Sequence, residues 1–115
     1  MDNQYDLIVT VVNRGYADYV MAAAKSQGAR GGTILNGRGT GAKEAEKFFN
    51  LIFQEEKELV LIVALKSIKN AIMSEIVNKT GLNSPGQGIT FSLPVDAIAG
   101  LTFIQDTENT NEKED

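Results

Sequence analysis

Glu58-Leu59-Val60-Leu61-Ile62-Val63-Ala64-Leu65 is the stretch on which the fold turns. It is an apolar run rich in branched side chains and it follows directly on a charged segment, so it reads as a β-strand. Side chains alternate between the two faces of a strand. A run that is apolar at every position from Leu59 to Leu65 therefore needs cover on both faces. Helices can supply one cover, and the other has to come from elsewhere.

Working outward, Leu7-Ile8-Val9-Thr10-Val11-Val12 is a second short β-branched run and a second buried strand. Asn13 follows it and offers a side-chain oxygen near a helix start. Ala17, Val20, Met21 and Ala24 then recur at helical steps, and Gly28 is placed to end that helix. Gly32 to Leu35 is a weaker strand. Residues 36–47, with glycines at 37, 39 and 41, have loop chemistry, and Phe48 to Phe53 is apolar but too short to separate strand from helix. Gln54 to Lys57 reads as a polar turn.

Beyond the central strand, Ser67 is the expected cap of a second helix with Ile68, Ile72, Met73, Ile76 and Val77 on its stripe, closed by Gly81. Ile89-Thr90-Phe91-Ser92-Leu93 alternates strictly and predicts a half-buried strand. Val95, Ala97 and Ile98 form a short last apolar element. The order β-α-β-β-α-β is the α+β, ferredoxin-like arrangement: a four-stranded antiparallel sheet with two helices on one face. Two helices leave the other face open, so oligomerisation through that face is expected.

Composition narrows the function. The 115 residues contain no cysteine and no histidine, which removes disulfides, thiolate metal sites and the commonest general base. No structural metal and no catalytic role are expected; Glu44, Glu46, Glu55, Glu56 and Glu58 read as solvated surface charge. From Gln105 onward five acids stand against Lys113, which accounts for the whole net charge of −4 and leaves residues 1–104 neutral. The chain thus divides into a domain over 1–104 and a disordered acidic tail over 105–115. No basic stripe points to nucleic acid. Met1 to Asp6 lacks a basic leader, and the longest apolar run, Leu59 to Leu65, falls far short of the roughly 20 residues of a membrane span. A cytoplasmic protein with no direct membrane insertion is expected.

Two glycine-bearing segments could contact a ligand: Asn36-Gly37-Arg38-Gly39-Thr40-Gly41 and Pro85-Gly86-Gln87-Gly88. Glycines let backbone N–H groups turn toward an anion, but they are also the default residues of turns. Neither segment matches a P-loop or a dinucleotide fingerprint.

Thr80-Gly81 followed by Pro85-Gly86-Gln87-Gly88 and Ile89 to Val95 resembles the closing segment of the PII nitrogen-regulatory family. That family has Thr-Gly, then Gly-Asp-Gly-Lys, then an apolar strand ending near Pro-Val. Gly39-Thr40-Gly41 falls where the family has Gly-Phe-Gly at the base of its T-loop, and Thr33 falls on a threonine of the second strand. The resemblance covers about residues 5–100. It implies a homotrimer with its open sheet faces turned inward. It also implies adenine nucleotides (ATP, ADP or AMP) in clefts between subunits, often with 2-oxoglutarate and Mg²⁺. A T-loop over Ala42 to Lys57 would dock on a target enzyme or membrane transporter. The binding residues it implies are Thr33, Gly37, Arg38, Gly39, Thr40, Gly41, Pro85, Gly86, Gln87 and Gly88.

Departures from the family are specific. Gln87 and Ile89 replace its Asp and its phosphate-binding Lys, and Ala42-Lys43 stands for Arg-Gln. Ala97 to Leu101 supplies neither of its two late arginines. Three lost cations weaken triphosphate binding by several charge-assisted bonds of about 1.5–3 kcal/mol each; Arg38, Lys43 and Lys47 are the cations left to substitute. No tyrosine lies between Arg38 and Glu58, so the family's T-loop tyrosine modification does not transfer. The alternative from another class is a CutA-like trimer with a metal-handling or structural role, which has a similar fold but would want His or Cys ligands.

Overall fold

The structure is a computed structural model and describes residues 4–40 and 55–100. Its elements are β1 (Tyr5–Asn13), α1 (Ala17–Ser26), β2 (Thr33–Gly39), β3 (Glu55–Leu65), α2 (Lys66–Thr80) and β4 (Ile89–Pro94). The strands form one antiparallel sheet in the order β2-β3-β1-β4, the ferredoxin-like topology expected from the element order. Among the described residues no helix is long and apolar enough to cross a membrane.

The period-two register sorts the sheet into two faces. Toward the helices point Ile8 with Ile62, Thr10 with Val60, and Val12 with Glu58. Ile8, Val12, Val60 and Ile62 meet Val20, Ala23 and Ala24 of α1 and Ile72 and Ile76 of α2 in one core. Thr10 is fully buried in this layer, and its hydroxyl is satisfied by that of Thr90 on β4 at 2.9 Å.

The opposite face is apolar along three cross-strand rows. These are Leu93-Leu7-Val63, Phe91-Val9-Leu61 ending on Thr33, and Ile89-Val11-Leu59-Leu35. The alternation of β4 thus turns its polar residues toward the helices and its apolar ones to the open face. Ile89, Phe91, Leu93 and Leu35 are all about half exposed there, from 45 to 55 %.

The helix ends follow local chemistry in part. Gly28, at φ +106°, closes α1 in a Schellman arrangement: Ala29 N–H donates to Ala24 O and Gly28 N–H to Lys25 O, each at 3.1 Å. Neither helix is capped as expected. Asn13 lies inside β1, the N-cap of α1 is Tyr16, and that of α2 is Leu65, with no side-chain cap bond at either. Ser67 lies within the first turn of α2, and Val77 on its stripe is 51 % exposed.

Three further expectations are corrected. Asn36 to Gly39 belong to β2 rather than to a loop, and Glu55 to Lys57 belong to β3 rather than to a turn. The two segments pair with each other, Arg38 opposite Glu56 and Gly39 opposite Glu55, so opposed charges and a flexible backbone extend a ladder that apolar patterning could not show. No helix or strand forms over 95–100; that stretch is tied to β1 by Val95 N–H donating to Tyr5 O. Gly41, Phe48 to Phe53 and the tail over 105–115 lie outside the described residues.

α2 begins with Lys66 and Lys69 and has no acid in its first turn, the unfavourable sign for a helix N-terminus. The buried carboxylate of Asp6 on β1 compensates. It accepts from Lys66 Nζ and, at 3.1 Å, from Lys69 Nζ. The Lys66 hydrogen bond holds the Asp6 carboxyl below the usual aspartate value against the opposing effect of burial. A carboxyl lowered on folding adds stability above its unfolded pKa of about 3.9 and loses it as pH falls through the folded value. Asp6→Asn should therefore melt below wild type at pH 6, and the gap should close as pH falls below about 4. Melting curves across that range check it; a gap independent of pH would remove the ion pair from the account.

Candidate functional site

The described parts of the two glycine-bearing segments lie at the same end of the sheet, at its opposite edges. Gly37 of β2, Lys57 of β3 and Asn13 of β1 are direct cross-strand partners on the open face. Lys57 Nζ donates to Asn13 Oδ1 at 2.7 Å and lies 3.3 Å from Glu55 Oε1. Asn13 passes the connection on, its Nδ2 donating to Pro85 O and its backbone N–H to Gly86 O, both at 2.9 Å. A polar relay thus runs from Lys57 of β3 through Asn13 of β1 to the loop after α2.

A cleft of about 550 Å³ opens at the same end of the sheet. Arg14, Asn36, Arg38, Glu56 and Glu58 line it, together with Gly37 and Lys57. Its acids are engaged within the chain. Glu56 pairs with Arg14, and Glu58 Oε1 accepts from Gly15 N–H at 3.0 Å and from Ala17 N–H at 2.9 Å. Glu58 is therefore the missing cap of α1, delivered from a neighbouring strand. Glu58→Ala should cost about 1–2 kcal/mol, the range of a lost N-cap. Urea unfolding with an unchanged slope checks this; an unchanged midpoint would show that water caps α1 equally well.

The loop from Gly81 to Gly88 is built differently from an open anion cradle. Ser84 N–H donates to Gly81 O at 2.9 Å, Gly86 N–H to Ser84 Oγ at 3.2 Å, Gln87 N–H to Ser84 O at 3.0 Å and Gly88 N–H to Thr80 O at 2.6 Å. Four backbone donors are thus already used inside the chain. Packing also explains two of the glycines. A Cβ on Gly88 would stand 2.4 Å from Thr80 O and 2.9 Å from Val12 Cγ1, and one on Gly86 would stand 3.3 Å from the Tyr16 ring. Gln87, at φ +48°, holds a left-handed backbone that non-glycine residues seldom adopt.

The residues read from sequence are brought together unevenly. Gly37 and Arg38 border the cleft, and Pro85 and Gly86 receive the relay. Gly39 and Thr40 lie at the end of β2. Thr33 shares the face of Gly37 but stands four residues away along the strand, about 13 Å. Gly88 is buried against Thr80 and Gln87 is exposed. Asn13, Arg14, Lys57 and Glu58 were not read as site residues. Lys57 and Glu58 reach the site only through the strand register, for which no local pattern is a signal. Among the described residues, no group of three or more His, Cys, Asp or Glu is placed to hold a metal ion.

No protein-family model matches the sequence, and no curated protein matches it. Among solved structures the chain is similar to that of Arabidopsis thaliana PII bound to citrate. The two are 23 % identical, the match covers 82 % of this chain and 79 % of that one, and the TM-score is 0.63. Identity at that level speaks to architecture, and the architecture agrees with the resemblance carried by the glycine segments and the stretch from Ile89 to Val95. With its sheet order of β2-β3-β1-β4 and its paired helices, this chain has a divergent PII-like fold.

Proposed function

We propose that the chain assembles as a trimer through the open face of its sheet and acts as a PII-like regulatory protein. It would take a small anionic effector at the sheet end where the Gly37-Lys57-Asn13 row meets the Pro85–Gly88 loop. The observation that carries this reading is the apolar open face. Three rows of Leu, Val, Ile and Phe, with neither described helix over them, form a patch of the kind that marks association.

An adenine nucleotide is the first effector to test, and the citrate on the Arabidopsis neighbour makes a small carboxylate the second. The occupied N–H groups of the 81–88 loop and the cation absent at Ile89 favour few phosphates over many. Signalling to a target enzyme or transporter, in a cytoplasmic and non-catalytic role, falls to the segment between β2 and β3. The CutA-like alternative gains nothing from the structure, since a chain without His or Cys lacks the side chains best suited to transition metals.

Native mass spectrometry of the full chain, paired with a thermal-shift panel, tests both halves. The panel holds ATP, ADP, AMP, cyclic nucleotides, 2-oxoglutarate, citrate and bicarbonate, each with and without Mg²⁺. A ligand at 100 times its dissociation constant adds about 2.7 kcal/mol. A trimer shifted by one compound supports the reading and names its input. A trimer with a flat panel removes the effector and keeps the assembly, and a monomer at micromolar concentration overturns the proposal.

A further inference from the structure

The helix side of the same sheet end carries a second arrangement, separate from the glycine loop. Arg38 of β2 stands directly opposite Glu56 of β3, and the next position across the sheet, just past the end of β1, is Arg14. The row therefore reads arginine, glutamate, arginine. Arg14 contacts the Glu56 carboxylate through Nη1, and its backbone N–H donates to Glu56 O at 3.1 Å. The relay through Lys57 and Asn13 belongs to the alternate positions and so to the other face.

We propose that this row is a binding site for a small oxyanion group, a carboxylate or a phosphate, and that Glu56 is its built-in occupant. An external anion takes the place of the Glu56 side chain on Arg14, with Arg38 directly across the ladder from the vacated position. The proposal rests on three features. Planar guanidinium forks match either oxyanion in two-point contacts. The Arg14 and Glu56 side chains are 71 % and 59 % exposed, so the resident pair is weak and exchangeable. The bond from Arg14 N–H to Glu56 O is independent of that side chain, so the arginine keeps its place when the carboxylate leaves.

The cleft of about 550 Å³ gives an incoming group room, and Asn36 offers it an amide. Glu58, the other acid in the cleft, does not compete, because the N–H groups of Gly15 and Ala17 hold it. Glu56 and Arg38 stand one pair from the end of the β2–β3 ladder. Exchange at this row therefore acts where the two strands open toward their connecting segment, which goes beyond the effector position proposed above.

Backbone amide shifts of Arg14, Gly15 and Glu56, followed by NMR during titration of the full chain, test the idea. Sodium acetate, succinate and phosphate are the probes, at ionic strength held constant with chloride. Saturable shifts are expected from at least one of them, and the arms separate a carboxylate site from a phosphate site. Glu56→Gln removes the resident competitor and should tighten binding about 3- to 5-fold. Glu75→Gln removes an equal charge from α2, where its partner is Lys79 and not a cleft residue, and should change it less than about twofold. Arg14→Gln should weaken it about tenfold. Shifts no different from those with chloride, equal gains from the Glu56 and Glu75 variants, or unchanged affinity in Arg14→Gln would each overturn the site.

Discussion

Gly88→Ala should lower the stability of the domain by about 2–3 kcal/mol, the upper range for forcing a methyl into a filled space. The added Cβ would stand 2.4 Å from the carbonyl oxygen of Thr80 and 2.9 Å from Val12 Cγ1. The first of these contacts is with backbone at the end of α2, which cannot swing aside as a side chain can. Gly88 N–H also donates to that same carbonyl at 2.6 Å, so moving the loop away breaks a bond as well. Gly86→Ala is the comparison. Its Cβ meets the Tyr16 ring at 3.3 Å and Thr80 Cβ at 3.4 Å, contacts that yield by a few tenths of an ångström, and the expected loss is below about 1 kcal/mol. Chemical denaturation of both variants checks the ranking. Equal losses would show that the loop relaxes as a unit.

This result bears on how glycines in such loops are interpreted. From sequence, Gly86 and Gly88 suggest a close approach by phosphate, and replacing either by valine looks like a clean way to remove a ligand. The structure fills the space beside Gly88 with the protein's own backbone, so a valine there disturbs the fold first. Ligand binding is better probed at Lys57 or Arg38, where the side chain can change without a collision.

Phe91→Asp should convert the proposed trimer to monomers while leaving the protomer folded. The ring is 45 % exposed in the single chain, so an aspartate there reaches water when the protein is alone. In an assembly closed through the open face, the same carboxylate would be trapped in the row of Val9 and Leu61. An unpaired charge taken out of water costs several kcal/mol, and a threefold assembly repeats that cost at each subunit. Tyr19→Asp is the control. Tyr19 is 61 % exposed on α1, away from the open face, and its replacement should leave the mass unchanged. Native mass spectrometry reads both variants, and a Phe91→Asp protein that remains trimeric would place the interface elsewhere.

The apolar runs carried most of the fold. Leu7 to Val12, Leu59 to Leu65 and the stripes of α1 and α2 have periodicities that give the element types and their order, and Gly28 ends α1 for a reason visible in its residue type. What escaped was polar and long-range. Asn36-Gly37-Arg38-Gly39 has the composition of a loop and becomes a strand because Glu55 to Glu58 lie opposite it. Neither half signals this alone. The site was legible to a similar degree: both glycine segments come to one end of the sheet, but the residues that join them, Asn13 and Lys57, sit 44 positions apart. Arg14 and Glu58 take their roles from register in the same way.

Both helices depend at their N-termini on a carboxylate from a strand, α1 on Glu58 and α2 on Asp6 through its two lysines. The two carboxylates lie on opposite sides of their helices in the order of synthesis. Asp6 has already left the ribosome when α2 emerges, whereas α1 is complete more than thirty residues before Glu58 appears. During translation at about 5–20 residues per second, α1 therefore waits some seconds for its cap, and at ten residues it is too short to persist alone in water. The β1–α1 unit thus stays uncapped while the following segment is made, and pairing of β3 with β1 is the event that brings Glu58 to the start of α1.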